Sequence, residues 1–125
     1  MASDSNSTAR GRAGEFFVAH LFEMRGIECY HAASEFDLIA NVGGSLVRIE
    51  VKSASKPSKG STYQYLVRNR NADVYAFVAL DVCLVRLLNA DELTNTQTVS
   101  LNKGKFTYDN QEADIARLIA QYRPA

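Results

Sequence analysis

The sequence is poor in the residues that build zinc sites and disulfides, with two cysteines and two histidines among 125 residues. Cys29 and Cys83 both fall in apolar, strand-like runs, and no apolar leader stands near the N-terminus. Such cysteines are expected to be free thiols in the core. His20 and His31 have no histidine or cysteine at a metal-ligand spacing, so no zinc site is expected. His20 is predicted to lie on a helix surface, and His31 at the end of a strand.

Long apolar runs are also missing. No stretch reaches the roughly 18 to 20 continuous apolar residues that a membrane span requires. Residues 1–8 are small and polar, without the apolar block of a secretory signal. We therefore expect a cytoplasmic protein with a disordered lead-in over residues 1–8 and a single domain over residues 9–125, since a chain of this length can bury one core.

Neither sign of charge predominates, because 14 basic residues balance 14 acidic ones. A net charge of zero weighs against a nucleic-acid partner, but the charge is distributed unevenly. Residues 48–70 carry six basic side chains and one acid, whereas residues 71–125 carry seven acids and five bases. The basic segment is therefore the part of the chain where contact with phosphates is expected.

Within that segment, residues 53–62 are predicted to form a loop with many hydroxyls, broken by Pro57 and Gly60. Such a loop can lie along a phosphate backbone, although a merely solvated loop is the alternative. Tyr63 and Tyr65 either stack on bases or pack beneath the sheet. The basic residues expected to contact DNA are Arg12, Arg48, Lys56, Lys59, Arg68 and Arg70.

A β-hairpin is predicted around Gly43 and Gly44, which separate two apolar runs and are typical of a primed two-residue turn. Val42 then faces Ser45, Leu38 faces Ile49, and Asp37 faces Glu50. Side chains alternate between the two faces of a strand. The core face carries Phe36, Leu38, Ala40, Val42, Val47, Ile49 and Val51, and the polar face carries Asp37, Ile39, Asn41, Leu46, Arg48, Glu50 and Lys52.

The opposed carboxylates of Asp37 and Glu50 should repel each other and weaken the hairpin unless a positive group lies between them. Lys52 can partly neutralise the pair, and Mg²⁺ or Mn²⁺ bound by oxygen ligands would do more. An ordinary exposed face with a Lys52–Glu50 pair is the alternative.

A third acidic residue, Glu15, favours a bound cation over an ordinary exposed face. Residues 9–25 are predicted to form a helix that ends at Gly26, and Glu15 lies on its apolar stripe with Val18 and Phe22. A carboxylate at that position either reaches past the edge of the core or is held by a cation, a proton or an arginine. Arg12, three residues earlier, is the simplest such partner.

These residues resemble the core of the PD-(D/E)xK nuclease superfamily. The similarity extends over about residues 9–80 and rests on the order of the elements: Gly11 to Glu15 opening a helix, the aspartate strand from Phe36 to Ile39, a tight turn, and the glutamate-lysine strand from Arg48 to Lys52. Archaeal Holliday junction resolvases and small group I intron homing endonucleases are the branches it resembles most. Phe36 replaces the family's proline before the aspartate, and that proline is not a ligand.

The resemblance implies roles for five residues. Asp37 and Glu50 would bind Mg²⁺ together with the backbone carbonyl of Val51, and Mn²⁺ would substitute. Glu15 would complete the acidic cluster directly or through water. Lys52 would position or activate the attacking water, with its protonation state left open by opposing influences on its pKa.

The remaining segments predict a scaffold of strands and helices. Strands are expected at residues 27–33, 74–80 and 82–88, with the second buried on both faces, and a short helical turn at residues 89–93. Residues 98–101 and 106–108 are expected to pair as a hairpin, and the sequence Asp109 to Glu112 resembles a capping box that opens a helix reaching Tyr122. The predicted fold is α/β, a restriction-endonuclease-like sandwich with a mixed central sheet flanked by helices.

The predicted function is that of a Mg²⁺-dependent DNA endonuclease, either resolvase-like or homing or restriction-like. A non-catalytic nucleic-acid-binding module on the same scaffold is the alternative. Cutting both DNA strands needs two sites or one repositioned site, so a homodimer or higher symmetric oligomer is expected.

Overall fold

The computed structural model describes residues 2–32, 37–67, 72–93 and 98–123, with side chains from residue 8 onward. Two helices, seven strands and two short 3₁₀ turns make up this part of the chain. In order they are α1 (Ala2–Glu23), β1 (Glu28–His31), β2 (Leu38–Val42), β3 (Ser45–Ala54), β4 (Thr62–Leu66), β5 (Val74–Ala79), β6 (Leu84–Asn89), a turn at Ala90–Leu93, β7 (Thr98–Asn102), a turn at Lys103–Lys105, and α2 (Tyr108–Gln121).

Five strands form one mixed sheet in the order β1-β2-β3-β5-β6. The central strands β3 and β5 are parallel, and the other neighbouring pairs are antiparallel. All six residues of β5 are buried, as expected for a strand covered on both faces. The predicted α/β fold with a mixed central sheet is confirmed.

The β2–β3 hairpin has the predicted register, with Val42 opposite Ser45 and Leu38 opposite Ile49. Gly43 and Gly44 have φ values of 60° and 90°, which a primed turn requires and which glycine adopts without steric cost. The predicted core face is buried at each of its described positions. These are Leu38, Ala40, Val42, Val47, Ile49 and Val51.

The two faces of the sheet are covered by different layers. Helices α1 and α2 pack on one face through Val18, Phe22, Ile115 and Leu118. On the other face lies a separate two-stranded antiparallel sheet of β4 and β7, which we call the β4–β7 ribbon. Its inner residues Tyr63, Tyr65 and Val99 form a second apolar cluster with Tyr75 and Phe77 of the central sheet.

Several local predictions were wrong. The helix predicted to begin at residue 9 begins at Ala2, since no proline or glycine interrupts the chain before Gly11 and propagation adds one hydrogen bond per residue. The expected hairpin of residues 98–101 with 106–108 does not form, because β7 pairs with β4. Cys83 is an exposed free thiol in a turn with φ of 55°, and Cys29 is a half-buried free thiol.

Helix α2 begins two residues earlier than the capping box predicted at Asp109. Thr107 is its N-cap, and the Thr107 hydroxyl accepts a hydrogen bond from the Asn110 amide at 3.0 Å. A threonine satisfies the first-turn amides as the predicted Asp109 would have done. In the described part of the chain, neither helix combines the length and apolar character needed to cross a bilayer.

Candidate active site

The candidate site lies where β3 extends beyond its neighbour β2. Pairing between these strands begins at Leu38, whereas β3 continues to Ala54. Residues 50–54 of β3 therefore pair with β5 on one side only. On the other side, Val51 contacts the residue that directly precedes β2. That preceding residue is Asp37.

Asp37 does not face Glu50 as predicted. Its amide donates to the carbonyl of Ile49 at 3.1 Å, although Ile49 is already paired with Leu38. Two residues thus oppose one, as in a β-bulge, which disrupts the ladder locally and redirects a side chain. The Asp37 carboxylate turns toward β3, where its Oδ2 accepts a hydrogen bond from the Val51 amide at 2.7 Å.

This contact orients the backbone of Val51. In an extended strand, the N–H and C=O groups of one residue point to the same side. Because the Val51 amide points toward Asp37, the Val51 carbonyl faces the same gap. The Val51 carbonyl oxygen and the Asp37 carboxylate therefore lie on the same side of β3.

Glu50 and Lys52 form an ion pair in this region, with 3.1 Å between the Lys52 Nζ and the Glu50 Oε2. The Glu50 side chain is 3% exposed and that of Lys52 is 25% exposed. Both project from the sheet face that the β4–β7 ribbon covers, since Tyr75 and Phe77 pair with them in register and pack against the ribbon. Burial by the ribbon explains why a residue predicted on an open polar face is enclosed.

Glu15 approaches from α1. Its Oε1 lies 3.6 Å from the Nδ1 of His31, which packs edge-on against the ring of Phe16 with 5.1 Å between centroids. Burial raises the pKa of Glu15 and the neighbouring Asp37 carboxylate raises it further, while His31 and Arg12 oppose the rise. Glu15 and Asp37 are thus close enough to repel each other, and a cation between them would relieve that repulsion.

His31 was predicted only to lie at the end of a strand, and the structure places it against Glu15. Its contact with Glu15 depends on the pairing of β1 with β2, which brings His31 opposite Leu38 and therefore beside Asp37. Arg12, the partner predicted for Glu15, is exposed, and it lowers the pKa of Glu15 less than His31 does. The position of His31 just before the aspartate strand was the available signal.

Gly14 allows α1 to lie close to the site strand. A Cβ atom at Gly14 would overlap the hydroxyl of Ser53 and come within 3.1 Å of the Ser53 Cβ. Among the described residues, the Ser53 hydroxyl is buried and has no hydrogen-bond partner. The missing side chain at Gly14 thus sets the distance between the helix that carries Glu15 and the strand that carries Glu50.

The basic residues predicted to contact DNA have different environments. Lys56 and Lys59 are exposed in the segment between β3 and β4, and Lys59 forms a tight turn with Thr62. Arg48 is engaged with Asp73 through its backbone amide and its guanidinium, and this bonding lowers the pKa of Asp73. Arg12 is exposed on α1, while Arg68 and Arg70 lie outside the described residues.

Tyr63 and Tyr65 lie on the inner face of the ribbon and pack against the central sheet, which decides between the two alternatives left by the sequence. Tyr63 donates its hydroxyl to Asp81 at 2.7 Å, and burial with this contact raises its pKa to about 12. Tyr65 donates to the carbonyl of Val78 at 3.0 Å and contacts Phe77 with 5.0 Å between centroids. Neither ring is available to stack on a base.

The donor set suits a hard divalent cation, although the described residues contain no group of three or more Asp, Glu, His or Cys side chains close enough to hold one. Asp37 and Glu50 supply carboxylate oxygens and Val51 supplies a carbonyl on the same side as Asp37. Such oxygens are the ligands that Mg²⁺ accepts while it keeps several waters. Two protein carboxylates with waters are enough for that mode of binding.

Comparison with known proteins gives a structural relative. A bacterial homing endonuclease, I-Ssp6803I, superposes with a TM-score of 0.76 at 16% sequence identity, and the match covers 92% of each chain. No family model and no curated protein matches the sequence. The chain therefore has the fold of this homing endonuclease over nearly its whole length.

Proposed function

We propose that the protein is a metal-dependent endodeoxyribonuclease with a PD-(D/E)xK-type site. The observation that carries the proposal is the hydrogen bond from the Val51 amide to the Asp37 carboxylate, next to the ion pair that Lys52 makes with the buried Glu50. A fold shared with a homing endonuclease supports it. Asp37, Glu50 and the Val51 carbonyl would hold Mg²⁺ or Mn²⁺, with Glu15 joining directly or through water.

The chemistry requires both charges of the site. A phosphodiester repels hydroxide, and a bound cation would neutralise the phosphoryl oxygens and lower the pKa of a bound water. Lys52 extends a positive charge from beside Glu50, where it can hold the scissile phosphate and orient the attacking water. Glu50 in turn fixes Lys52 through the ion pair at 3.1 Å.

The substrate is proposed to be DNA, cut by a homodimer or a higher symmetric oligomer, because a duplex presents two strands and the described residues of one chain contain one such site. A four-way junction and a linear duplex are both candidate substrates. The exposed Lys56 and Lys59 next to β3 would contact the phosphate backbone, as would Arg12 on α1.

A non-catalytic binding module is the second candidate, and one observation favours it. Lys52 is already paired with Glu50, so the site is partly neutralised without any metal. A module that only binds phosphate, however, gains nothing from the three carboxylates of Glu15, Asp37 and Glu50 beside the DNA.

The test incubates purified protein with supercoiled plasmid, linear duplex and a four-way junction, each with Mg²⁺, Mn²⁺ or EDTA. We expect cleavage of at least one substrate with metal and none in EDTA. Asp37→Asn and Glu50→Gln should abolish cleavage while far-ultraviolet circular dichroism stays unchanged. If no substrate is cut with either metal while duplex binding persists, the binding module is the correct function.

A further inference from the structure

The outer face of the β4–β7 ribbon has an unusual composition. Six side chains project from it, since Thr62 pairs with Asn102, Gln64 with Ser100 and Leu66 with Thr98. None of the six is charged. Five carry hydroxyl or amide groups, and the sixth, Leu66, is a large apolar side chain that is 56% exposed.

On an ordinary solvated surface about 25–35% of the residues are charged, whereas none of these six is. The ribbon packs on the central sheet through its inner face, where Tyr63, Tyr65 and Val99 join the apolar cluster. Its outer side chains do not pack in the core. Core packing therefore does not explain why Leu66, which lies next to Thr98 and Gln64, is an exposed apolar residue. A ligand that accepts neutral hydrogen bonds and one apolar contact would explain it.

Among the described residues, exposed lysines lie at the end of the ribbon where β4 begins and β7 ends. The Lys103 amide donates to the Ser61 carbonyl at 2.7 Å, which brings the segments around Lys59 and Lys105 together at that end. Both of these lysines are exposed. A neutral, hydrogen-bonding face bordered by cations matches the surface of duplex DNA, in which base edges lie between phosphate backbones.

The ribbon also lies on the same side of the central sheet as two residues of the candidate site. Tyr75 and Phe77, on which it packs, pair in register with Glu50 and Lys52, so the ribbon lies on the sheet face from which these two site residues project. A two-stranded ribbon with five residues per strand is about 17 Å long. The major groove of B-DNA, about 12 Å wide, admits such a ribbon.

We propose that the outer face of the β4–β7 ribbon enters the major groove and reads base edges, with Gln64 and Ser100 as hydrogen-bonding residues and Leu66 against a thymine methyl group. Gln64 is held in place for this role, because its Oε1 accepts a hydrogen bond from the Ser58 hydroxyl at 3.1 Å. Glutamine pairs with adenine, serine with several bases, and an apolar group with the thymine methyl. The inference rests on the proposed nuclease function and adds the surface that selects the sequence.

The test is a binding selection from a pool of randomised duplexes, with Ca²⁺ in place of Mg²⁺ so that bound molecules are recovered uncut. Wild type should enrich a sequence motif. Gln64→Ala should lower discrimination at one or two adjacent positions by about tenfold, the loss expected for one good side-chain-to-base contact. Gln121→Ala is the matched control, because Gln121 is an exposed glutamine of α2, the helix that packs on the opposite face of the central sheet.

Leu66 has its own measurement. Replacing thymine by uracil in the selected duplex should weaken wild-type binding several-fold, and the same replacement should have no effect on Leu66→Ala. Affinity for duplexes of unrelated sequence should stay within about twofold in every variant, because phosphate contacts supply non-specific binding.

Other outcomes would contradict either the base-reading role of the ribbon or the proposed nuclease function, and the two can be told apart. A wild-type motif that survives both Gln64→Ala and Leu66→Ala overturns the reading role and leaves the nuclease function intact, as does duplex binding without any preference. If Leu66→Ala dissociates an oligomer in light scattering and the motif is unchanged, the ribbon face is an interface between copies. Absence of duplex binding by wild type overturns the proposed function itself.

Discussion

Glu15 illustrates how opposing interactions around a single carboxyl of the site determine the direction of its pKa shift. Burial and the Asp37 carboxylate raise its pKa above the ordinary value of 4.5, and His31 and Arg12 only partly offset the rise. A folded-state pKa above the unfolded value means that the folded protein binds more protons than the unfolded chain in the window above that value. The free energy of unfolding therefore falls as pH rises through this window.

The first prediction concerns this pH dependence. Glu15→Gln removes the ionisation, so its stability relative to wild type should increase as pH rises from 4 to 7 in EDTA. Urea unfolding of both proteins at several pH values measures the difference. Addition of Mg²⁺ should reduce the difference, because a cation favours the ionised carboxylate. Parallel stability curves for the two proteins would contradict the electrostatic account.

The second prediction concerns Lys52, whose ammonium lies 3.1 Å from a Glu50 oxygen in a partly enclosed position. Lys52→Arg should keep most of the DNA affinity and lose cleavage by orders of magnitude, because the guanidinium is larger, planar and never a proton acceptor at working pH. Lys52→Ala should be equally inactive and bind more weakly. Lys103→Arg, a matched change at an exposed lysine whose ammonium lies 3.5 Å from an Asp81 oxygen, should leave the cleavage rate unchanged.

A Lys52→Arg variant that cuts at nearly the wild-type rate would show that the lysine serves as a positive charge alone. Single-turnover cleavage and a filter-binding titration on the same duplex separate the two effects. The separation matters because a loss of binding alone would lower the rate at low protein concentration.

At the scale of elements, the close approach of α1 to β3 decides where Glu15 lies. Gly14→Ala would force its new methyl group against Ser53, so we expect lower stability by about 1 to 3 kcal/mol and lower cleavage activity. Gly11→Ala in the same helix meets nothing within 4 Å and should stabilise the protein by about 0.5–1 kcal/mol. Urea unfolding and cleavage assays measure both.

The double variant Gly14→Ala with Ser53→Gly checks that cause. Removing the Ser53 side chain makes room for the methyl group, so the combined loss should be smaller than the sum of the two single losses. Additive losses would show that the two residues do not interact.

The outer edge of the sheet is stabilised by polar side chains of α2. Asp114, whose side chain is 7% exposed, accepts hydrogen bonds from the Leu87 amide at 2.9 Å and from the Arg86 Nε at 2.7 Å. Gln111 accepts from the Val85 amide at 3.0 Å in the same way. These bonds satisfy the free edge of β6, which would otherwise offer unpaired backbone groups.

Asp114→Ala should therefore lower the free energy of unfolding by about 3–5 kcal/mol, because it leaves a buried amide and a partly buried guanidinium without their acceptor. Asp109→Ala, an exposed acid in the first turn of the same helix, should cost less than about 1 kcal/mol. Chemical unfolding of both variants gives the comparison. Equal losses would mean that the edge bonds contribute little.

The elements that could be predicted from the sequence are those with local causes. The Gly43–Gly44 turn sets the register of its own hairpin, and the apolar run of β5 reports its own burial. The ribbon could not be predicted, because Tyr63 and Leu101 pair across a long stretch of chain and neither segment indicates its partner. The same holds for the bulge at Asp37, which shifted that residue away from its predicted position opposite Glu50.

At the scale of the whole molecule, the zero net charge conceals a local excess of positive charge next to the site. Lys56 and Lys59 are exposed between β3, which carries Glu50 and Lys52, and β4, which begins the ribbon. A duplex that engages the site and the ribbon together would pass this segment. The two lysines should therefore neutralise phosphates whatever the base sequence.

The last prediction tests that arrangement. Replacing both Lys56 and Lys59 by glutamine should weaken binding to all duplexes about equally and make the slope of log K against log salt shallower by about 2, since each phosphate contact contributes about 0.9 through counterion release. Fluorescence anisotropy between about 50 and 200 mM salt measures the slope. Arg123→Gln, an exposed charge just beyond α2, should leave it unchanged. An unaltered slope in the double variant would show that the loop is solvated and that the duplex follows another path across the molecule.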